Sequence, residues 1–431
     1  MPDSSEKWRK RFVACRILAA ALASVALLAA QPKVDARKAE RLASQAERLE
    51  KEGRQNEAAA LFAQAAEADP NNIAALKGQA RAFLAGRRFA EAEANLKKVA
   101  GLQKKETEPE VWRLLGEAMK GLGNPAGAAG AFENALAAGA RTAQTYRSLG
   151  ECRLELNQPK AAVDALTEAI RLRLDNPEPY VLRGRAYGQL GQYRDAIEDF
   201  DRALYLRPGY GDAFYERGFA YGQLGQFDRA VSDLTQALKA LADSDRQAKS
   251  RMLGYRGAAQ EILGKTDEAL ADYNAALEAD PNNQRVLSAR GDLYASQGKH
   301  DLALADRERA LAIEPNNPYF YIARGSSHHQ LGNHQQGIAD RTRAIELQPE
   351  LATAWLARGS ARLLMKEYEK AIEDLEQAQR LAPGDEEVKA VLAKARSEQE
   401  ARQAAQAAAA TSGTAACFSA MPMKAQMMTS M

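Results

Sequence analysis

Apolar and polar residues recur along most of the chain in a pattern that repeats every 34 residues. Residues 177–210 (PEPYVLRGRAYGQLGQYRDAIEDFDRALYLRPGY) and residues 211–244 (GDAFYERGFAYGQLGQFDRAVSDLTQALKALADS) share one layout. Their apolar positions are mostly three or four residues apart, as on one face of an α-helix. Ten repeats can be placed on this period, and they span 39–72, 73–106, 109–142, 143–176, 177–210, 211–244, 250–283, 284–317, 318–351 and 352–385.

Numbering each repeat from slot 1 to slot 34 shows which positions are constrained. Slot 8 is Gly or Ala in all ten repeats and slot 20 is Ala in nine, so two antiparallel helices can approach closely there. Larger residues at slots 4, 11, 17 and 24, such as Tyr180 and Phe200, fill the space beside this contact. Slot 15 is Gly in seven repeats, where the first helix must stop. Slot 32 is proline in six repeats, and proline ends the second helix.

An aromatic residue at slots 4, 11 and 24, Gly at 8, Ala at 20 and 27, and Pro at 32 form the tetratricopeptide signature. Over residues 39–385 the chain resembles a tetratricopeptide-repeat (TPR) protein, with two extra residues at 107–108 and five at 245–249. The resemblance implies an all-α fold, an α-solenoid of ten helix-turn-helix repeats in a right-handed superhelix. The residues at 245–249 are expected to lengthen one connection between repeats.

Slot 7 is arginine and slot 23 is aspartate in each of the last six repeats, and in none of the first four. Facing residues on the two helices have slot numbers that sum to about 31 on the packed positions, so slots 7 and 23 face each other. We therefore expect an ion pair between the helices of each repeat, in preference to a row of arginines facing a polyanion. The expected pairs are Arg183–Asp199, Arg217–Asp233, Arg256–Asp272, Arg290–Asp306, Arg324–Asp340 and Arg358–Asp374.

Composition argues against several classes of function. The 59 Lys and Arg residues nearly balance the 57 Asp and Glu residues, so no net charge attracts the chain to nucleic acid. The three cysteines lie far apart, which excludes a disulfide scaffold and a thiolate zinc site. No phosphate-binding loop and no nucleophile motif is present. The 38 residues before the repeats and the 46 after them are too few for a catalytic domain. We expect a protein that is not an enzyme and has no cofactor.

The histidines are the strongest candidates for metal ligands, because all four fall within 35 residues. His300 and His334 occupy slot 17 and His328 occupies slot 11, both of which are aromatic packing positions. Packing is therefore favoured over metal binding, and we predict no metal site.

The resemblance places slots 2, 5, 9 and 12 of each first helix on the concave face of the superhelix. We predict that side chains at these slots bind an extended or helical segment of a partner protein. The candidates are Val181, Arg185, Tyr215, Phe219, Tyr319, Ile322 and Ser326. The alternative is that they are isolated apolar surface residues that bind nothing. No repeat has asparagine at slot 9, so the carboxylate clamp of co-chaperone TPR proteins is not expected.

The segments outside the repeats predict export and capping. Residues 1–16 carry five basic and two acidic side chains, and residues 17–30 are apolar and uncharged. This is the pattern of a bacterial secretory signal or of an N-terminal membrane anchor, assigned to residues 1–38, so we expect a periplasmic or inner-membrane-anchored protein. Residues 386–410 are expected to form a capping helix, and residues 411–431 a disordered tail.

The predicted function is that of a protein–protein interaction scaffold or adaptor. Two alternatives remain open at this point: a self-assembling structural protein, and a regulatory subunit of an envelope enzyme.

Overall fold

The computed structural model describes residues 34–419 apart from residue 243, and it describes no side chain for residue 105 or for residues 409–419. The predicted signal or anchor therefore lies mostly outside the described residues. Within the described part of the chain every regular element is helical, which confirms the all-α helical-repeat prediction. None of the described helices is long and apolar enough to cross a membrane.

Each repeat holds two consecutive helices, an odd-numbered A helix and an even-numbered B helix. Repeats 1–5 contain α1 (Ala36–Lys51), α2 (Gln55–Ala68), α3 (Ile73–Ala85), α4 (Phe89–Gln103), α5 (Pro109–Gly121), α6 (Pro125–Ala137), α7 (Ala143–Glu155), α8 (Pro159–Leu172), α9 (Pro177–Gln189) and α10 (Tyr193–Leu206). Repeats 6–10 contain α11 (Gly211–Gln223), α12 (Phe227–Ala240), α13 (Arg246–Ile262), α14 (Thr266–Ala279), α15 (Gln284–Ser296), α16 (His300–Ile313), α17 (Pro318–Gln330), α18 (His334–Leu347), α19 (Ala352–Leu364) and α20 (Tyr368–Leu381). The last helix is α21 (Glu386–Ser419), and a short 3₁₀ turn (Lys104–Glu106) follows α4.

The chain divides into two compact units, an N-terminal unit that ends at Ala220 and a C-terminal unit that begins at Tyr221. From α1 to α10 and from α12 to α21, each helix packs against the next one along the chain. Most A helices also contact the A helix of the next repeat in the same unit. Each unit is therefore an α-solenoid whose core is a series of local clusters, and the A helices form the floor of a groove.

Close helix packing at slot 8 explains the small residues there. A Cβ atom on Gly184 would lie 2.5 Å from Cε1 of Phe200, the slot 24 residue of the same repeat. The same relation holds between Gly116 and Phe132, where the distance would be 2.7 Å. The slot 24 side chain thus fills the space that a larger slot 8 residue would need.

Slot 15 has a left-handed backbone in all ten repeats, including the three without glycine. Arg87, Asn157 and Lys366 have φ values of 57°, 55° and 60°. In repeat 10 the N–H of Glu367, which follows slot 15, donates to the carbonyl oxygen of Arg362 at 2.9 Å. This bond closes the end of α19 in the way that a left-handed residue allows.

Of the five residues at 245–249, only Asp245 lengthens the connection, which is five residues long against four between α14 and α15. The other four residues belong to α13, so the prediction of a long connection is wrong. Asp245 accepts a hydrogen bond from the backbone N–H of Ala248 at 2.9 Å and starts α13 at Arg246. The extra residues add a turn to the helix, because an aspartate cap outside the repeat pattern is available to begin it.

Both ends of the described chain are more helical than the sequence indicates. Asp35 caps α1 by accepting from the N–H of Lys38 at 2.9 Å, so the first helix begins before residue 39. At the other end α21 continues to Ser419, whereas disorder is predicted from residue 411. The alanine-rich sequence before residue 411 favours a helix. No proline interrupts it, because the next proline after Pro383 is Pro422. Residues 420–431 lie outside the described residues.

The first part of α21 acts as the predicted cap. Val388, Leu392 and Ala395 are buried, and the last two pack in a cluster with Leu375 of α20. The helix therefore covers the apolar face that the last repeat would otherwise expose to water.

The left-handed position of Lys366 predicts a stabilising substitution. Lys366→Gly should raise the free energy of unfolding by about 0.5 to 1 kcal/mol, because glycine relieves the steric strain and loses only part of that gain to backbone entropy. Urea unfolding of the whole chain, with hydrogen exchange of the α19 and α20 amides, measures the effect. The converse variant, Gly332→Lys at the same slot of repeat 9, should be destabilised. A Lys366→Gly protein that is less stable than the parent would contradict this account.

Candidate partner-binding groove

Arginine and aspartate side chains meet between the A and B helices of the later repeats. In repeat 8, Arg290 Nε donates to Asp306 Oδ2 at 2.8 Å and Nη2 donates to Oδ1 at 2.7 Å. These hydrogen bonds raise the pKa of Arg290 despite its partial burial. Four further repeats have the same two bonds, all between 2.6 and 2.9 Å: Arg183–Asp199, Arg256–Asp272, Arg324–Asp340 and Arg358–Asp374.

The sixth expected pair, Arg217–Asp233, joins residues of different units and stays a prediction. Arg217 itself donates to Asp201 of the preceding repeat at 2.5 Å.

A third contact of these arginines was not foreseen. Nη1 of Arg290 donates to Asn274 at 2.6 Å, and Nη1 of Arg256 donates to Thr235 at 3.0 Å. Both acceptors are slot 25 residues of the preceding repeat. Arg256 and Arg290, like Arg183 and Arg358, therefore join the two helices of their own repeat and link that repeat to the previous one. A polar residue at slot 25 is the sequence signal for this link.

Charged side chains on the groove floor of the N-terminal unit pair with one another across neighbouring A helices. Arg147 Nη1 lies 2.6 Å from Glu178, and Arg185 Nε lies 2.7 Å from Glu216. The other pairs with the same separation of 31 residues are Arg81–Glu50, Lys120–Glu151 and Lys77–Glu108. These pairs neutralise much of the charge that this groove would present to a ligand.

Two of the predicted partner-binding residues in this unit do not fit that role well. Val181 is 2% exposed and packs beside Tyr180 and Phe200 in the core, so its prediction as a partner contact is wrong. The cause is that its short side chain is covered by this cluster, whereas the longer Arg147 at the same slot extends to Glu178. Arg185 lines the groove but is already paired with Glu216. Tyr215 and Phe219 are half-buried.

The three predicted residues in the C-terminal unit lie on α17. Tyr319 is 57% exposed. Ile322 is half-buried and packs against the cluster that contains Ile345. Ser326 is half-buried, and its hydroxyl donates to the carbonyl oxygen of Ile322 at 3.1 Å.

An apolar depression of about 160 Å³ lies between α13 and α15 in the C-terminal unit. Its walls include the side chains of Tyr255, Ala258, Val286 and Ala289. Gly254 also lines it, and a Cβ atom there would lie 2.7 Å from Cγ2 of Val286. Glycine is thus required for the close approach of the two A helices beside the depression.

Two arginines, Arg251 and Arg285, flank this depression at slot 2 of successive repeats. Neither arginine has an ion-pair partner within the described residues. Three carboxylates lie near the two arginines, those of Asp280, Asp292 and Glu314. Asp292 accepts from Arg307 at 2.8 Å, and Glu314 accepts from Gln284 at 2.6 Å. The depression therefore combines an apolar surface with two arginines that form no ion pair within the described residues.

The histidines do not form a metal site in the described part of the chain. The rings of His329 and His334 lie 4.3 Å apart, and their Nδ1 atoms are separated by 3.0 Å. Burial, together with electrostatic repulsion from the neighbouring His334 and Arg341 side chains, lowers the pKa of His329. No group of three or more His, Cys, Asp or Glu side chains there is arranged to hold a metal ion.

The ion pairs between helices predict a strong asymmetry between single and double substitutions. Asp306→Ala should lower the free energy of unfolding by about 2 to 3 kcal/mol, because it leaves the partly buried Arg290 guanidinium without its carboxylate. Adding Arg290→Leu should restore most of the loss, since Leu115 and Ala131 occupy these two slots in repeat 3. Urea unfolding of the single and double variants gives the comparison. Equal stability of the Asp306→Ala protein and the parent would show that the pair has no such role.

Comparisons with known proteins agree with the repeat pattern. Four family models, described as TPR repeat or Tetratricopeptide repeat, match the chain. The matches cover residues 184–225, 262–298 and 291–332; 49–118; 113–179 and 322–386; and 211–240. No curated protein matches the sequence.

Several solved structures are similar to parts of the chain. A tetratricopeptide repeat protein from Parabacteroides merdae is 19% identical, with a TM-score of 0.46, over 59% of this chain and 98% of that one. MamA from Desulfovibrio magneticus is 24% identical, with a TM-score of 0.37, over 40% and 95% of the two chains. YrrB, described as a TPR protein with an unusual peptide-binding site, is 21% identical, with a TM-score of 0.38, over 44% and 96%.

The family matches together extend from residue 49 to residue 386 with only two gaps, at 180–183 and 241–261. They follow the same repeats whose helices, turns and packing are described above. The chain belongs to the tetratricopeptide-repeat family.

Proposed function

We propose that this protein is a non-enzymatic interaction scaffold that holds a segment of a partner protein in the groove of its C-terminal unit. The observation that carries the proposal is the apolar depression between α13 and α15, flanked by Arg251 and Arg285, which have no ion-pair partner in the described part of the chain. Membership of the tetratricopeptide-repeat family supports it, because stacked helical repeats create extended surfaces that serve for binding.

The chemistry of the depression indicates the partner segment. A cavity of about 150 Å³ accommodates a molecule the size of benzene, so the depression has room for one aliphatic or phenyl side chain. Acidic residues on either side of that anchor would reach Arg251 and Arg285. The buried anchor would supply most of the affinity, and the charges would supply specificity and rapid association.

The exposed Tyr319 extends this surface by one repeat. It occupies slot 2 of repeat 9, the slot that holds Arg251 and Arg285 in repeats 7 and 8. A tyrosine ring at this position offers an apolar face and a hydroxyl to the same bound segment. The proposed segment is therefore acidic and apolar, and it contacts three successive A helices.

The N-terminal segment supports a further proposal, that the scaffold works in the bacterial periplasm or anchored to the inner membrane. Its basic residues precede fourteen uncharged residues, 17–30, which is the order of regions in a secretory signal.

Charge reversal in the groove should abolish capture of the partner. In crosslinking pull-downs from the native host, the Arg251→Glu, Arg285→Glu double variant should recover at least tenfold less of the partners that the parent protein recovers, because two attractive contacts become repulsive. Ala258→Phe, which fills the depression without a change of charge, should have a similar effect.

The matched control is Lys239→Glu, Lys299→Glu. It changes the net charge equally at two exposed sites that have no ion pair within the described residues. Retention of the same partners by both groove variants would overturn the proposed site. Capture of further copies of this chain, with a mass that rises with concentration in light scattering, would favour the self-assembling alternative.

The export proposal predicts that the apolar run is essential for localisation. In a Gram-negative host, Leu27→Arg, Leu28→Arg should keep the protein in the cytosolic fraction, because charges within the run prevent its insertion into the membrane. Leu27→Val, Leu28→Val is the control and should leave the protein in the periplasmic or membrane fraction. A parent protein that fractionates with the cytosol would refute export.

A further inference from the structure

Repeats 8 and 9 replace the large apolar residue of slot 24 with arginine. Elsewhere this slot holds side chains such as Phe200 and Tyr273, which fill the space between the two helices of a repeat. Arg307 and Arg341 occupy the slot in repeats 8 and 9, and they are only 7% and 5% exposed. Buried guanidinium groups are costly unless an anion and hydrogen bonds compensate the charge.

Arg307 has such compensation. Its Nη2 donates to Asp292 Oδ1 at 2.8 Å, and its Nη1 donates to the hydroxyl of Ser327. Asp292 occupies slot 9 of α15, and its side chain is 62% exposed on the groove floor. The Arg307 side chain thus extends from the B helix to the groove, where its guanidinium group pairs with a solvent-exposed carboxylate.

The Arg341 side chain extends toward slot 9 in the same way, but it meets no carboxylate there. Slot 9 of repeat 9 is Ser326, whose hydroxyl accepts from Arg341 Nη2 at 3.3 Å. Nη1 donates to the carbonyl oxygen of Gly337 at 3.2 Å. Nε has no hydrogen-bond partner within the described residues, as is also true of Arg307, so the two arginines differ in the partners of their Nη atoms. These neutral contacts are long for hydrogen bonds from a charged donor.

The surroundings of Arg341 do not neutralise it. The adjacent carboxylate, Asp340, is held by Arg324 through bonds of 2.6 and 2.9 Å. Burial lowers the pKa of Arg341, although Asp340 opposes this effect. His329 and His334 lie on the same side of the repeat and contribute no negative charge.

We propose that Arg341 binds a side-chain carboxylate of the partner segment, which enters beside Ser326 and takes the place that Asp292 has in repeat 8. The proposal rests on the function proposed above and adds a third basic contact to Arg251 and Arg285. The bound carboxylate would form with Arg341 an ion pair like the one that Arg307 and Asp292 form within repeat 8.

The test uses the full-length protein labelled with ¹⁵N-arginine and follows the Nε–Hε resonance of Arg341, assigned by its loss in Arg341→Leu. Leucine is the slot 24 residue of repeat 10, so this variant restores a side chain that the fold already accommodates. The probe is N-acetyl-glutamate N-methylamide, and the neutral control is the corresponding glutamine compound. The acidic probe should shift the resonance in a saturable way, and the glutamine compound should not.

Ser326→Asp provides the decisive variant, because it supplies an internal carboxylate like that of Asp292. It should shift the Arg341 resonance without any probe and weaken the response to the acidic probe at least tenfold. Ser360→Asp places the same charge at slot 9 of repeat 10, where slot 24 is Leu375, and it should leave the response unchanged.

An undiminished response in Ser326→Asp, or equal responses to the acidic and neutral probes, would overturn the proposal. Stronger binding of N-acetylglycine would overturn the side-chain assignment in favour of a terminal carboxylate of the partner. This proposal and the proposed function can fail independently. A groove variant that no longer captures the partner would leave the probe titration at Arg341 unchanged. A titration without a response would leave capture through Arg251 and Arg285 unchanged.

Discussion

The close contact between the A and B helices at slot 8 is the constraint on which the rest of this protein depends. At Gly184 no room remains for a side chain beside Phe200, the slot 24 residue of the same repeat. That contact fixes the distance and the register of the two helices within each repeat. Because the register is fixed, residues at a given slot occupy equivalent positions in each repeat, and within each unit the A helices line up to form a groove floor.

The same register lets arginine act in two different ways. At slot 7 an arginine such as Arg290 faces slot 23 of the same repeat and meets its own aspartate. Because the charge of this arginine is compensated within the solenoid, we interpret the slot 7 arginines as structural residues. At slot 24 an arginine reaches through the repeat toward slot 9, and the residue there decides its role. Asp292 completes the pair with Arg307, whereas Ser326 leaves Arg341 without an anion.

Features set within one repeat could be predicted from the sequence, because they follow from the spacing along two neighbouring helices. The turn at slot 15 and the pairs between slots 7 and 23 are of this kind. Features that depend on the offset between repeats could not. The burial of Val181 and the pairing of Arg185 with Glu216 both arise between neighbouring A helices, whose rotation is not encoded in a single repeat. The extra turn of α13 was missed because Asp245 lies outside the pattern.

The offset between repeats also explains why the two units differ as binding surfaces. In the N-terminal unit a charged groove residue meets the residue 31 positions away, as Arg147 meets Glu178. The positions 31 residues after Arg251 and Arg285 are Asn282 and Asn316, which carry no charge. An asparagine cannot form an ion pair, so those two arginines lack the partner that Arg147 has and flank an apolar depression. The difference between the two grooves thus lies in which charged side chains have an ion-pair partner on a neighbouring repeat, and the proposed binding of an acidic segment rests on it.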